Sequence, residues 1–248
     1  KLPKKRAALE LNVYRKVRKG KTQGRVGFWL SNASLKTLSR SHYSNIWWWL
    51  PPAVWPEEEN ETKSLIGHLL KRGSKHFVLN SPWQMAHFLD LNHSGGSQPS
   101  SYSSYAKGLD LWAGPFCNLS NALAIGVAKS LGFSGVIISP ELGGKDFLLI
   151  PKQTSLPVGI VVSGNWPLCV SRTISDNIKM AKPFTSPRGE QGWIQKMDSN
   201  FWVYPNWKLD IGVKMNELKR AGYQLFVRLN EPVPKGVKLK QRPGMWNW

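Results

Sequence analysis

Ser139, Pro140 and Glu141 follow a continuous β-branched run, Val136, Ile137 and Ile138, so a carboxylate stands just beyond a strand end. There it can orient a polar ligand or act as a general acid or base, or it can cap the short helix that follows. Upstream, Asn118 and Asn121 flank a helix start behind Gly114. They either hold the loop through backbone hydrogen bonds or form the floor of a pocket. Glu141 is therefore the candidate catalytic residue, with Gly114, Asn118, Asn121 and Ser139 as candidate pocket residues. Other chemistries lack their residues. There is no GxGxxG, Walker loop, HExxH or CxxC. His42, His68, His76, His87 and His93 are scattered, and no His/Cys set has zinc-site spacing, so no metal ligand is assigned. No Ser/His/Asp set supports a protease. Cys117 has no evident His partner and reads as a small buried hydrophobe.

The elements that position these residues repeat one beat. In residues 110–139, Leu111–Ala113 is a short strand stopped by Gly114 and Pro115, and a helix follows with Leu119, Leu123, Ala124, Val127, Ala128 and Leu131 on its apolar face. Gly132 ends that helix and a second strand closes a parallel crossover. Before it, strands are expected at 25–30, 45–50 and 75–79, with helices at 33–38, 62–72 and 82–91. Trp47, Trp48 and Trp49 cannot all face one way on a strand, so both of its faces are covered or one ring lines a cavity. Residues 92–107 are a Ser- and Gly-rich connection. After the crossover, 145–150 reads as a short helix or turn and 158–162 as a buried strand. Residues 182–190 read as loop, 191–204 as a small antiparallel excursion, 208–220 as helix and 223–229 as the last strand. The fold class is α/β, a TIM-barrel-like set of (β/α) repeats. Fewer than eight strands stand out, which leaves a closed barrel and a partial one both open.

Charge is the other strong signal. The 248 residues hold 34 Lys+Arg against 15 Asp+Glu, a net +19. This favours a polyanionic partner, RNA or a ribonucleoprotein, although a merely solvated basic surface has the same composition. Residues 1–23 read as a basic amphipathic helix, with Leu9, Val13 and Val17 inward and Lys4, Lys5, Arg6, Arg15, Lys16, Arg18 and Lys19 available to phosphates. Residues 231–248 read as a basic, Pro-rich, extended tail offering Lys235, Lys238, Lys240 and Arg242. Between them, 24–230 is the (β/α) domain. The two Cys make no disulfide framework, and neither a signal peptide nor a membrane-length apolar run is visible. A cytoplasmic protein is expected. The chain opens without Met, which suggests a processed form or a piece of something longer.

The stretch from Gly114 through Asn118, Asn121, Leu131 and Gly132 to Ser139, Glu141 and Leu142 resembles the signature region of peptidase family U32. The likeness extends more loosely over residues 24–230, through 163–172, ending in Arg172, and through Asp198, Asn206, Leu209 and Leu218 to a strand ending in Arg228. It implies a TIM-barrel-like core and adds Arg172 and Arg228 to the pocket set. Members of that family include oxygen-independent hydroxylases of tRNA, ribosomal RNA or ubiquinone, which use a four-cysteine 4Fe–4S cluster and prephenate; others carry the names collagenase or protease. In this chain the family's ligand positions after Gly164 are Pro167 and Ile174, and Cys169 is offset. No cofactor is therefore expected here. The reading is a U32-like, RNA-associated module that binds structured RNA or supports its modification, alongside a catalytic U32 unit in the same or another chain. The alternatives are a U32-type enzyme, hydrolase or hydroxylase, with a pocket around Glu141, and a structural subunit of a larger complex.

Overall fold

The apolar runs become the wall of a closed barrel in the computed structural model, which describes residues 8–16, 25–36, 43–89 and 108–240. In chain order the strands are β1 (Leu9–Tyr14), β2 (Arg25–Trp29), β3 (Trp47–Trp49), β4 (His76–Leu79), β5 (Asp110–Ala113), β6 (Gly135–Ile137) and β7 (Val158–Gly164). Four short strands then leave the wall: β8 (Cys169–Ser171), β9 (Pro183–Thr185), β10 (Gln191–Met197) and β11 (Asn200–Pro205). Two more, β12 (Leu209–Asp210) and β13 (Leu225–Asn230), return to it. Strands β1 to β7 pair in sequence, all parallel. β13 pairs in parallel with both β7 and β1, and this closes eight strands into a TIM-type barrel. β12 lies antiparallel on the end of β7, beyond the short β6. Among the described residues, six α-helices occupy the connections: α1 (Asn32–Lys36), α2 (Glu59–Lys71), α3 (Ala86–Leu89), α4 (Ala122–Ser130), α5 (Gly144–Gln153) and α6 (Met215–Ala221). Among the described residues, no helix is long and apolar enough to cross a membrane.

Two apolar clusters follow from strand alternation. Leu11, Val13, Trp47, Trp49, Trp112, Val161 and Val227 fill the barrel interior. Trp48, Phe77, Leu111, Ile160 and Phe226 face the helices. The three consecutive indoles thus divide, two inward and one outward, and all are essentially inaccessible to water. Such bulk inside an eight-stranded barrel needs small neighbours. A Cβ at Gly135 would come within 2.6 Å of the Trp112 ring.

The N-terminal segment corrects the sequence reading. Residues 9–14, expected in a basic helix, are strand β1 in the wall, so the barrel begins well before residue 24. Leu9, Leu11 and Val13 alternate with Glu10, Asn12 and Tyr14. That period of two competes with the four-residue spacing of Leu9, Val13 and Val17, and pairing to β13 and β2 decides between them. This is also the strand missing from the sequence count. α4 is a second correction. It starts at Ala122 and turns Ile125 and Ala128 inward, while Leu123 and Val127, expected inside, are 81% and 53% exposed. The helix is apolar nearly all round, so periodicity cannot choose its inner face. Residues 208–220 are not one helix either, since β12 precedes α6. The loop expected at 182–190 contains β9.

β8, β11, β10 and β9 form one four-stranded antiparallel sheet inserted between β7 and β13. The expected excursion is its β10–β11 hairpin. Trp193, Trp202 and Tyr204 of this sheet belong to the same apolar cluster as the barrel interior. The insertion therefore sits over the C-terminal mouth, where Trp202 meets Trp29 at a ring-centroid distance of 5.2 Å.

Candidate functional site

In a parallel barrel the C-terminal strand ends carry the loops that can meet a ligand. Here the inserted sheet covers part of that mouth and leaves a pocket of about 380 Å³ beyond β3 to β7. Asn80, Ser81, Phe116, Cys117, Glu141 and Trp166 line it. Asn80 follows β4 directly and is 2% exposed. Its Nδ2 donates to the carbonyl of Leu50 at 2.7 Å, which fixes the amide so that Oδ1 is presented as a buried acceptor without a partner. Gly114, after β5, makes room for that oxygen: a Cβ there would lie 2.0 Å from Asn80 Oδ1. The chain then turns through a single 3-10 turn, Pro115–Cys117, and reverses at Asn118, whose φ is 53°. Glu141 is exposed on the pocket side, and Trp166 Nε1 donates to its Oε1 at 3.3 Å. The Phe116 and Trp166 rings stack with centroids 4.5 Å apart and form an aromatic wall.

The sequence-derived set is only partly assembled. Gly114 and Glu141 converge on the pocket. Ser139 is buried behind it, and its Oγ accepts from the Glu141 amide at 3.3 Å, so it shapes the Glu141 turn. Asn121 caps α4, its Oδ1 accepting from the Ala124 amide at 2.9 Å. Asn118 is an exposed loop residue. Arg172 and Arg228 are not at the pocket. The Arg172 guanidinium lies 4.8 Å from the Trp55 ring and 3.4 Å from Glu57, whose carboxyl is held below its ordinary pKa by a backbone hydrogen bond and then by Arg172. Arg228 alternates with inward Val227 and Leu229, so it stands on the outer wall facing Glu10 at 3.8 Å and Ser163 at 3.3 Å.

Sequence reasoning missed the neighbouring polar centre. Arg15, expected to face phosphates, is clamped in the mouth. Its Nε is 2.7 Å from Glu231 Oε2, and its guanidinium lies 4.0 Å and 4.2 Å from the Trp29 and Trp202 rings. Trp29 Nε1 donates to the other Glu231 oxygen at 2.9 Å. Burial, and then the Glu231 charge, push the Tyr204 phenol well above its ordinary pKa. The one available signal was position, since Arg15 and Glu231 each directly follow a wall strand. Of the other basic candidates, Lys16, Lys235, Lys238 and Lys240 are exposed. Lys4, Lys5, Arg6, Arg18, Lys19 and Arg242 lie outside the described residues.

Cys117 and Cys169 both line the pocket. Cys117 donates its thiol to the Leu79 carbonyl at 3.2 Å, and burial pushes its pKa up to about 12, so it is neither an activated nucleophile nor a ready thiolate ligand. Pro167, at one of the U32 ligand positions, lines the same pocket and has no ligating atom in its side chain. This donor set does not fit a four-thiolate cluster. Among the described residues, no group of three His, Cys, Asp or Glu could hold a metal ion.

No protein-family model matches the chain, and no curated protein sequence does. Among solved structures, one described as the U32 peptidase Mk0906 superposes with a TM-score of 0.54 at 7% identity, over 94% of this chain and 97% of that one. An HpcH/HpaI aldolase from Desulfitobacterium hafniense DCB-2 superposes at 0.45 and 10% identity, over 92% and 87%. The spore cortex-lytic enzyme SleL of Bacillus cereus superposes at 0.42 and 9%, over 96% and 72%. At such identity, the match to the U32 peptidase shows a shared barrel fold.

Proposed function

We propose that this chain is a U32-like barrel enzyme of the hydrolase type, with Glu141 as the general base of the mouth pocket. The observation that carries the reading is Glu141 itself, a carboxylate at a barrel-strand end, oriented by the Trp166 indole and open to a pocket of small-molecule size. A carboxylate so placed can take a proton from water as the water adds to a carbonyl, and return it to the leaving group. Water is the fitting nucleophile, because the Cys117 thiol stays protonated. The likeness to a U32 peptidase in fold supports the class without identifying a substrate. The test is turnover of a panel of aminoacyl and dipeptidyl coumarin amides and p-nitrophenyl esters by wild type and by Glu141→Gln. Turnover that falls at least about a hundredfold in the variant is expected. No turnover on either panel, or equal turnover by both proteins, overturns the reading.

Net charge favours a second reading, an RNA-associated U32-like module. The +19 balance, with Lys16, Lys235, Lys238 and Lys240 exposed, supports it. Affinity for tRNA should then fall steeply between low and physiological salt. Absence of binding at low salt removes it.

A further inference from the structure

The pocket's charge is opposite to that of the chain. Among the described residues no Lys or Arg lines it, and its one carboxylate is Glu141. Its donors are already engaged. The Trp166 indole N–H goes to Glu141, the Asn80 amide to Leu50 and the Cys117 thiol to Leu79. That leaves the Ser81 hydroxyl and Cys169 thiol as the uncommitted side-chain donors among the lining residues. Its open acceptor is Glu141, exposed on the pocket side, where Trp166 donates to only one of the two carboxylate oxygens. The Asn80 Oδ1 behind it is buried against Gly114 and adds a second oxygen, with no donor, to the pocket floor. Phe116 and Trp166 add π faces, which attract cations and repel anions.

We infer that the Glu141 pocket recognises a protonated amine: the ammonium group of the ligand faces the Glu141 carboxylate, and its carbon skeleton lies along the Phe116–Trp166 wall. This rests on the site proposed above and names the group it selects. A carboxylate or phosphate ligand meets the Glu141 carboxylate in place of a cation, so charge excludes it.

Three probes separate the possibilities on the full chain at neutral pH: phenethylammonium, its N-acetyl derivative and 3-phenylpropionate, each titrated by ligand-observed NMR. The ammonium should bind at least about tenfold more tightly than the acetylated probe, and the carboxylate should show no binding, as charge-assisted hydrogen bonds dictate. Glu141→Gln should weaken the ammonium about tenfold or more and leave the acetylated probe unchanged. Because Glu141 is exposed, this variant should keep the wild-type melting temperature, which separates lost recognition from lost folding. Equal or tighter binding of the carboxylate, retained ammonium affinity in Glu141→Gln, or no binding of any probe overturns the inference. The two readings fail separately. Ammonium selectivity without turnover keeps the inference and removes the hydrolase; turnover without that selectivity does the reverse.

Discussion

Gly114→Ala tests the construction of the pocket directly. Gly114 has φ −80° and ψ 170°, an extended conformation open to any residue, so alanine brings no backbone strain. Its effect is confined to one methyl group. Built on the backbone, that methyl lies 2.0 Å from Asn80 Oδ1, 2.7 Å from Asn80 Cγ and 2.9 Å from Val78 Cγ1. Val78 is fully buried in the barrel interior and has little room to yield. Asn80 must therefore move, and its 2.7 Å bond to the Leu50 carbonyl breaks. Overpacking of this kind costs about 1–3 kcal/mol, and leaving the buried amide and carbonyl unpaired costs about 1–3 kcal/mol more. Together they remove about 2–6 kcal/mol from a stability of order 5–15 kcal/mol. For a domain of this size the melting temperature should fall by roughly 4–24 °C. Urea and thermal unfolding of wild type, Gly114→Ala, Asn80→Ala and the double variant form a closed cycle. Since Asn80→Ala removes the atoms the methyl strikes, the double variant should be more stable than the sum of the singles predicts by at least ~1 kcal/mol. A melting temperature within about 2 °C of wild type, or additivity within ~0.5 kcal/mol, refutes the steric reasoning.

The Arg15–Glu231 pair, with side chains 12% and 3% exposed, should behave as a buried unit. Arg15→Met or Glu231→Leu alone should cost about 3–5 kcal/mol in urea melts, and the double variant much less than their sum, because only the singles leave an uncompensated charge. Asp198 has its pKa raised by burial, so the folded state binds the proton more tightly than the unfolded chain. The stability it contributes is present below its ordinary pKa and lost as pH rises through the folded value. Asp198→Asn should therefore raise the melting temperature at neutral pH and gain little near pH ~3.5; the φ of 52° at this turn also suits Asn. Native protein at pH 8 should titrate one thiol quickly with Ellman's reagent, Cys169, and the second only on unfolding. With a pKa of about 12, Cys117 is thiolate in only about one molecule in ten thousand at that pH.

Much of the scaffold was legible because its signals are local. The β-branched run at Val136–Ile138, the stops at Gly114 and Gly132, and the impossibility of three adjacent indoles sharing a strand face each depend on a few neighbouring residues. They place Glu141 at a strand end, and hence at the barrel mouth. Arg172 and Arg228 joined the pocket set by resemblance alone. Arg172 lies against Trp55 and Glu57, away from the pocket, and alternation along β13 turns Arg228 outward.

What the tertiary structure decided depends on contacts between distant parts of the chain. Residues 9–14 carry helical and strand periodicities at once. Only pairing with residues 225–230 at the other end of the chain makes them the strand that completes the barrel. The same closure brings Arg15 to Glu231 across 216 residues and turns an expected phosphate contact into an internal ion pair. The inner face of α4 and the burial of Asn80 against Gly114 were likewise set by packing, because an all-apolar helix and a lone polar side chain have no local preference strong enough to oppose it. Local chemistry determined which segments could form a barrel and where its mouth would lie; long-range pairing determined that the ring closes and which side chains the mouth contains.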